Sequence, residues 1–201
     1  MSKNGFSEYI AVVDFETLAI GSDACILSIG LTLSKYTDKD ITFKQLVETG
    51  FSMKFDLVEQ RKNGRSVSDT VVAWWFKQDE EARKVLKVSD KDVSIYTLYD
   101  ELCEYFSLQG INLKKDVDLY DRRSFDISKM EYLFVEEQKL DGVPWDFKKE
   151  YEISTALRFL GYDRYGGVHV KDIPGTVYHD ALHDSAVDHL RLLKCLHASN
   201  D

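Results

Sequence analysis

The feature that most constrains the fold is the stretch YIAVVDFETLAI at residues 9–20. Residues 9–15 are short, β-rich and nearly continuous in apolar character, which predicts a buried strand. Alternate residues of a strand project from the same face, so Asp14 and Glu16 should point the same way while Phe15 packs behind them. Two adjacent carboxylates repel each other unless a positive charge lies between them. The strand therefore raises the question of what its two acids hold.

The rest of the chain supplies further strands and then helices. Two more strands are predicted at 24–34 and 50–57, adjacent to the first as a meander. The next predicted element is a helix that carries Val71, Val72, Trp74 and Trp75 and is capped by Ser68 or Asp69. It is followed by a helix over 94–108, a strand at 117–120, a helix over 127–137, and a helix that is capped by Ser154 or Thr155 and ends at Gly161. The last predicted helix runs from about Ala181 to His197, with Ala186, Leu190 and Leu193 facing inward. This order predicts an α/β sheet covered by helices.

The length and charge of the chain exclude several classes of protein. A chain of 201 residues suits one domain, spanning 1–201. A formal charge of −9 argues against a protein that coats nucleic acid through bulk electrostatics. It does not argue against an enzyme on nucleic acid, because such an enzyme concentrates acids where divalent metals offset them.

The cysteines and the termini indicate a location. Cys25, Cys103 and Cys195 are far apart, which suits reduced thiols and gives no zinc-site spacing. The segment MSKNGFSEYI lacks an apolar signal core, and no apolar run approaches the roughly 20 residues of a membrane span. We therefore expect a cytoplasmic protein with no membrane partner, in the host cytoplasm if it is a phage protein.

An acid-x-acid pair is weak evidence for a site when it is taken alone. The same spacing occurs at Asp38/Asp40, Asp90/Asp92 and Asp116/Asp118, in polar surroundings. The apolar run before Asp14 distinguishes the first pair, because it places both acids at the end of a rigid central strand.

The segment YHDALHDSAVDHL, residues 178–190, adds a histidine and a further acid. His179 lies on the loop that enters the last helix, and Asp184 projects from its first turns. A histidine near neutrality is a ready general base, and a neighbouring acid is a ready metal ligand. His183 and His189 show the alternative, since His/Asp pairs on exposed helices usually have no such role.

A third candidate lies in RRSFDISKMEYLF, residues 122–134. Asp126 follows a phenylalanine and precedes a helix anchored by apolar residues. Simple N-capping by an acid is the alternative interpretation. Asp118 and Asp121 compete by charge, and Asp126 is preferred because its surroundings are less polar.

In order, these segments read Asp-x-Glu, Phe-Asp before a helix, and His-x-Ala-x-x-Asp. This order resembles the DEDD superfamily of 3′–5′ exonucleases, in the branch that uses histidine as the base. KFDLVEQ (54–60), VVAWWFKQDEEARK (71–84) and SDKDVS (89–94) resemble the exonuclease A proteins of T4-type bacteriophages. RNase T-like exoribonucleases belong to the same family.

The resemblance implies a ribonuclease H-like fold, with a mixed five-stranded sheet and helices on both faces. It further implies that two divalent cations, Mg²⁺ or Mn²⁺, are held by Asp14, Glu16, Asp126 and Asp184. His179 would be the general base. The sister branch places a tyrosine four residues before the last acid, and that position here is Asp180. The histidine branch is therefore implied.

Substrate contacts are less well marked. Leu18 would wedge against the terminal bases as apolar residues do in relatives, or it is a core leucine. The loop of Arg61, Lys62 and Arg65 would contact the strand backbone, or it is a solvated turn. Many relatives carry an amide before the second-motif aspartate. Here Arg122, Arg123 and Ser124 occupy that stretch, and the two arginines would meet a phosphate or be solvated. Neither Trp74 nor Trp75 is assigned to the site.

The sequence thus predicts a metal-dependent 3′–5′ exonuclease that releases nucleoside 5′-monophosphates from single-stranded 3′ ends, with DNA preferred to RNA as the substrate. One alternative is a catalytically silent nucleic-acid-binding module, although all five motif residues are present. Another is a proofreading subunit of a polymerase, for which HASND at residues 197–201 leaves little room for a partner-binding tail. The oligomeric state stays open.

Overall fold

The computed structural model describes residues 6–198; the first five residues of MSKNGFSEYI and the last three of HASND lie outside this range. The strands are β1 (Tyr9–Thr17), β2 (Ile26–Lys35), β3 (Phe51–Lys54), β4 (Val117–Asp121) and β5 (Glu150–Glu152). The α-helices are α1 (Phe43–Thr49), α2 (Leu57–Lys62), α3 (Asp69–Trp75), α4 (Leu98–Leu108), α5 (Leu113–Asp116), α6 (Phe125–Glu131), α7 (Ile153–Phe159) and α8 (Ala181–Ala198). Short 3₁₀ turns lie at Ala82–Leu86, Ile95–Thr97, Phe147–Lys149 and Val170–Asp172, and a π-helical segment, Tyr132–Glu137, follows α6.

The five strands form one mixed sheet in the order β3-β2-β1-β4-β5. Neighbouring strands pair antiparallel from β3 to β1 and parallel from β1 to β5. The predicted meander of the first three strands and the mixed five-stranded sheet are confirmed. No pattern in the sequence marked β5, because its three residues, EYE, contain no apolar run.

The apolar run of β1 is buried because helices cover both faces of the sheet. Ala11, Val13 and Phe15 pack into one core cluster, which includes residues of α4 and α6. Ile10 and Val12 pack into a second cluster with α7 and α8. Packing on both faces therefore fixes the position of the carboxyl end of β1.

No helix within residues 6–198 combines the length and apolar character needed to span a membrane.

Gly30 allows the start of α8 to lie directly on the sheet. It pairs with Asp14 across β1 and β2. A Cβ atom built on Gly30 would lie 2.2 Å from the backbone carbon of Ala181 and 2.2 Å from the backbone nitrogen of Leu182. Real Cβ atoms do not approach backbone so closely. The glycine therefore brings the first turn of α8 next to the acidic end of β1.

We expect Gly30→Ala to destabilise the protein and to displace Asp184 from the acids of β1. Overpacking a core typically costs about 1–3 kcal/mol, and because the neighbouring atoms here are backbone we expect the upper value of about 3 kcal/mol, which corresponds to a fall of about 6–12 °C in Tm for a chain of this size. Gly142→Ala is the matched control, because its Cβ would meet nothing within 4 Å. Equal melting temperatures for the two variants would contradict this interpretation.

Several predicted boundaries are corrected by the structure. The cap of α7 is Glu152 rather than Ser154 or Thr155, because its carboxylate accepts hydrogen bonds from both of their backbone N–H groups. Arg61 and Lys62 end α2 instead of lying in a loop, and Gly64, at φ 87°, follows that helix. Leu190 is half-buried, whereas Ala186 and Leu193 face the core as predicted.

Candidate active site

The structure places Asp14 and Glu16 together at the carboxyl end of β1. The side chain of Phe15, between them, packs into the core on the opposite face. Glu16 is buried and Asp14 is half-buried. The alternation of the strand thus produces the arrangement that the sequence predicts.

Asp126 joins this pair from the start of α6. Its Oδ1 accepts a hydrogen bond from the backbone N–H of Phe15 at 3.0 Å. The pairing of β1 with β4 ends at Val12 and Tyr120, so the Asp126 carboxylate bonds β1 beyond the last paired residues. This contact fixes a third acid beside Asp14 and Glu16.

The alternative role of Asp126 as a helix cap is taken by Asp121. The Asp121 carboxylate accepts hydrogen bonds from the N–H groups of Ser124, Asp126 and Ile127, at 3.1, 2.9 and 3.1 Å. Asp118 accepts from Ser7 N and the Tyr36 hydroxyl. Asp118 and Asp121 are therefore both buried, and their carboxylates accept hydrogen bonds that stabilise the fold.

His179 and Asp184 complete the cluster from the entry to α8. The backbone N–H of His179 donates to Asp184 Oδ2 at 3.2 Å, and His179 has a left-handed φ of 57°. Its Nδ1 lies 4.0 Å from Glu16 Oε1. One ligand atom from each of Glu16, His179 and Asp184 lies within 4.8 Å of the others. Glu16 and Asp184, which are 168 positions apart in sequence (184 − 16), thus meet within the span of a metal ion's ligands.

The neighbouring histidines have structural partners. His189 is fully buried, and its two ring nitrogens lie within hydrogen-bond distance of the Thr32 and Ser34 hydroxyls. Burial lowers its pKa to about 3, so it is a neutral core residue. His183 Nδ1 accepts a hydrogen bond from the Val177 N–H and holds the loop before α8.

The two tryptophans of α3 differ in exposure, and both rings lie edge-to-face with the ring of His179, that of Trp74 at the shorter distance. Trp75 is fully buried and donates its indole N–H to Thr17 O at 2.9 Å. Trp74 is 41% exposed, with its ring centroid 4.7 Å from that of His179 in an edge-to-face arrangement. Sequence reasoning missed Trp74. The one feature of the sequence that could have indicated Trp74 is that adjacent residues of a helix point about 100° apart. If Trp75 is in the core, Trp74 must therefore face another direction.

Burial and mutual repulsion disfavour the ionised forms of the clustered acids. Burial, followed by the charges of the other acids, raises the pKa values of Asp14 and Glu16 well above their usual range. Burial raises the pKa of Asp126 similarly, and that of Asp184 to about 7. Closely spaced hard oxygen donors that resist ionisation fit a divalent cation, whose charge removes the repulsion.

These pKa shifts predict how stability depends on pH in a chelator. The native state keeps a proton on Asp184 up to about pH 7, whereas the unfolded state releases it near 3.8. Because the native state binds more protons at this acid across that window, the contribution of Asp184 to the free energy of unfolding should fall as pH rises from about 4 to 7. Buried His189 acts in the opposite direction only below about pH 6.5, where the unfolded imidazole gains a proton. Thermal melts in EDTA should therefore give a lower Tm at pH 8 than at pH 6.5, and Mg²⁺ should restore it at pH 8. A Tm that rises with pH in EDTA would contradict the acid cluster.

The proposed substrate contacts are distributed unevenly. Leu18 is buried against Trp75 and Cys25, whereas Ile20, two residues later, is 75% exposed. Arg65 is buried, donates to Ala24 O and pairs with Glu137 at 2.9 Å. The structure therefore uses Leu18 and Arg65 in the fold rather than on a binding surface.

The remaining arginines and Lys62 differ in their surroundings. Arg61 donates to Arg65 O, and Lys62 is exposed at the end of α2. Arg122 and Arg123 line a cavity that also contains Asp14. Two of the five basic candidates are thus next to the acids.

Comparison with known proteins identifies the family. The family model described as the 3′–5′ exoribonuclease Rv2179c-like domain matches residues 10–194. The chain belongs to the Rv2179c-like 3′–5′ exoribonuclease domain family. It is also 28% identical to the exodeoxyribonuclease of Enterobacteria phage T4, over 90% of this chain and 86% of that protein. The chain is therefore a 3′–5′ exonuclease, and the predicted resemblance is confirmed.

Solved structures with the same fold as this Rv2179c-like domain are also nucleases. The nuclease domain of 3′hExo, a DEDDh family member bound to rAMP, has a TM-score of 0.52 at 16% identity, covering 94% of this chain and 92% of that one. A zinc-bound form of the E. coli ExoI–ssDNA complex has a TM-score of 0.60 at 12% identity, covering 95% of this chain and 41% of that one. At these identities the likeness establishes the ribonuclease H-like α/β fold.

Proposed function

We propose that this exonuclease removes nucleotides from the 3′ ends of single-stranded DNA by a two-metal mechanism, with RNA as the second substrate. The observation that carries the proposal is the meeting of Glu16, His179 and Asp184 beside Asp14 at the end of β1. The similarity to the phage exodeoxyribonuclease supports DNA. The name of the matching family model supports RNA as the alternative.

The acids would hold two divalent cations, Mg²⁺ or Mn²⁺. The four that would do so are Asp14, Glu16, Asp126 and Asp184. When bound, such cations lower the pKa of a water molecule and stabilise the leaving 3′ oxygen. Oxygen ligands favour these metals over softer ones. The acids are carried by β1, α6 and α8, so the packing of these elements fixes their spacing.

His179 would accept the proton of the attacking water. Burial lowers its pKa below the usual 6.5, so the imidazole is neutral and can accept a proton at physiological pH. The hydrogen bond from its backbone N–H to Asp184 holds the loop. The His179 Nδ1 atom lies 4.0 Å from Glu16 Oε1, so the ring is beside the acids but too far away for a direct hydrogen bond.

A pair of matched oligonucleotides tests the substrate preference. Single-stranded DNA and RNA of one sequence, differing in the 2′-hydroxyl, should both shorten, with a higher kcat/KM for DNA. A higher kcat/KM for RNA would overturn DNA as the first substrate and leave the exonuclease activity in place. Equal resistance of both substrates, from folded protein with Mg²⁺ or Mn²⁺, would favour the silent binding module.

Trp74 should position His179 for this reaction. We expect Trp74→Ala to lower kcat about tenfold or more with little change in KM, because a small displacement of a catalytic group is costly. Trp74→Phe should recover most of the rate. Phe76→Ala is the matched control, since Phe76 is 65% exposed at the end of the same helix. A rise in KM at unchanged kcat would show instead that Trp74 stacks on substrate bases.

A further inference from the structure

A cavity of about 300 Å³ lies beside the acids and is lined by an unusual number of arginines. Asp14 and Asp184 form part of its wall. The arginines that line it are Arg122, Arg123, Arg164 and Arg191. In a chain of formal charge −9, four guanidinium groups around one cavity indicate an anionic ligand.

Two of these arginines neutralise a buried acid. Asp188 lies one helical turn after Asp184 on α8. Arg122 binds it through two hydrogen bonds, of 2.7 and 2.6 Å, and Arg191 Nη1 donates to it at 2.6 Å. One carboxylate thus meets two guanidinium groups, so this wall keeps a net positive charge immediately beside the acid cluster.

The other two arginines are available to a ligand. Arg123 is exposed, has a left-handed φ of 68°, and within residues 6–198 its side chain forms no ion pair. The Arg164 guanidinium lies 4.6 Å from the ring centroid of Tyr165 and donates to its hydroxyl. Arg191 lies 5.3 Å from the same ring. Tyr165 is therefore fixed between arginines and orients Arg164 at the cavity.

The chemistry of the reaction assigns a side of the site to each part of the strand. In an in-line displacement, the attacking water and the leaving 3′ oxygen lie on opposite sides of the phosphorus. His179, which would activate the water, lies on the side of Glu16. The arginine-lined cavity includes Asp14 but neither Glu16 nor His179. The leaving oxygen, and the strand attached to it, would therefore lie towards the arginines.

The cavity on the other side has the opposite electrostatic character. It has a volume of about 410 Å³, and its walls include His179 together with Asp79 and Glu81. Tyr178 lines both cavities. Because acids repel phosphate groups, the second cavity is unsuited to a nucleic-acid strand.

We propose that the arginine-lined cavity binds the strand that remains after cleavage, with Arg123 and Arg164 contacting its phosphate groups on the 5′ side of the scissile bond. This inference rests on the proposed function of the neighbouring acids. It assigns substrate binding to residues that the fold brings together from the β4–α6 loop and the segment after α7. Arg122 and Arg191 position this wall through Asp188.

Binding measurements test the cavity without catalysis. The variant is Arg123→Gln with Arg164→Gln, and the control of equal charge is Lys114→Gln with Arg158→Gln, at exposed positions outside the cavity. Fluorescence anisotropy would follow a labelled deoxythymidine 12-mer in Ca²⁺, with a gel to verify that the oligonucleotide stays intact. The variant should bind about tenfold more weakly, and its salt slope should fall by about 0.7 for each lost phosphate contact. Equal salt slopes for variant and control would overturn the proposal.

A small substrate separates this proposal from the proposed function. In the 4-nitrophenyl ester of thymidine 5′-monophosphate, the oxygen of water would bond to phosphorus while His179 takes a proton from it, and the P–O bond would break to release 4-nitrophenolate with its electron pair. No strand remains in this reaction. The KM of the variant for the 12-mer should therefore rise about tenfold in Mg²⁺, with a much smaller change in its kcat/KM for the ester.

Loss of ester hydrolysis in the variant would show that the arginines support the catalytic centre itself, and would overturn the assignment to the strand. Wild-type protein that degrades neither substrate would contradict the proposed function. The anisotropy comparison would still decide whether the cavity binds phosphates.

Discussion

Asp14→Asn should lower kcat by about a thousandfold or more on single-stranded DNA, because the lost metal ligand removes several kcal/mol of transition-state stabilisation. Burial raises the pKa of Asp14 most, and the charges of Asp126, Glu16 and Asp184 raise it further, which places Asp14 among these acids. Asp90→Asn is the matched control, since Asp90 is exposed and stands in an acid-x-acid pair of the same spacing. A loss of less than tenfold would contradict the central role of Asp14.

The same substitution should have opposite effects on stability with and without metal. In EDTA, Asp14→Asn should raise Tm at pH 8, because it removes one of several mutually repelling charges. In Mg²⁺, the variant should gain less stabilisation than the wild type, since ligand binding stabilises only the state that binds it. A variant that is less stable than the wild type in EDTA would show that Asp14 supports the fold instead.

The second large effect is expected from His179→Asn, which should lower kcat by about 10²–10⁴-fold, the usual contribution of a general base. The variant should still be stabilised by Mg²⁺, because the four acids remain. His169→Asn, at an exposed histidine, is the control. If Mg²⁺ no longer stabilises the His179 variant, His179 is a metal ligand, as its distance from Glu16 and Asp184 would also permit.

The sequence predicted the fold where its patterns were local. The apolar runs of β1 and β2 mark the centre of the sheet, because burial on both faces demands nearly continuous apolar residues. The strand β5 was not predicted, and the predicted cap of α7 was wrong. A three-residue edge strand has no period to detect, and Glu152 competes with nearby hydroxyl residues for the cap.

The choice of candidate acids depended on more than charge. The sequence around Asp118 and Asp121 is more polar than that around Asp126, yet both acids are buried and accept hydrogen bonds from the fold. What distinguishes Asp126 is the bond from the Phe15 N–H, a contact between residues 111 positions apart. No local pattern encodes such a contact.

The substrate surface was the least predictable part. Arg65 lies in a basic stretch of sequence but is buried with Glu137. No local sequence pattern marks Arg164 or Arg191, because they reach the site only through the packing of α7 and α8. Trp74 and Trp75 differ in burial through the rotation of α3 against the sheet, which depends on tertiary contacts.

The most direct test of the central claim is digestion of a single-stranded oligonucleotide labelled at its 5′ end. Wild-type protein with Mg²⁺ or Mn²⁺ should give a ladder that shortens from the 3′ end, and EDTA or Asp14→Asn should abolish it. Released product should be nucleoside 5′-monophosphate. Cleavage that persists in EDTA, or an oligonucleotide left intact by well-folded, metal-loaded protein, would contradict the assignment of the acids at the end of β1 to a metal-dependent exonuclease site.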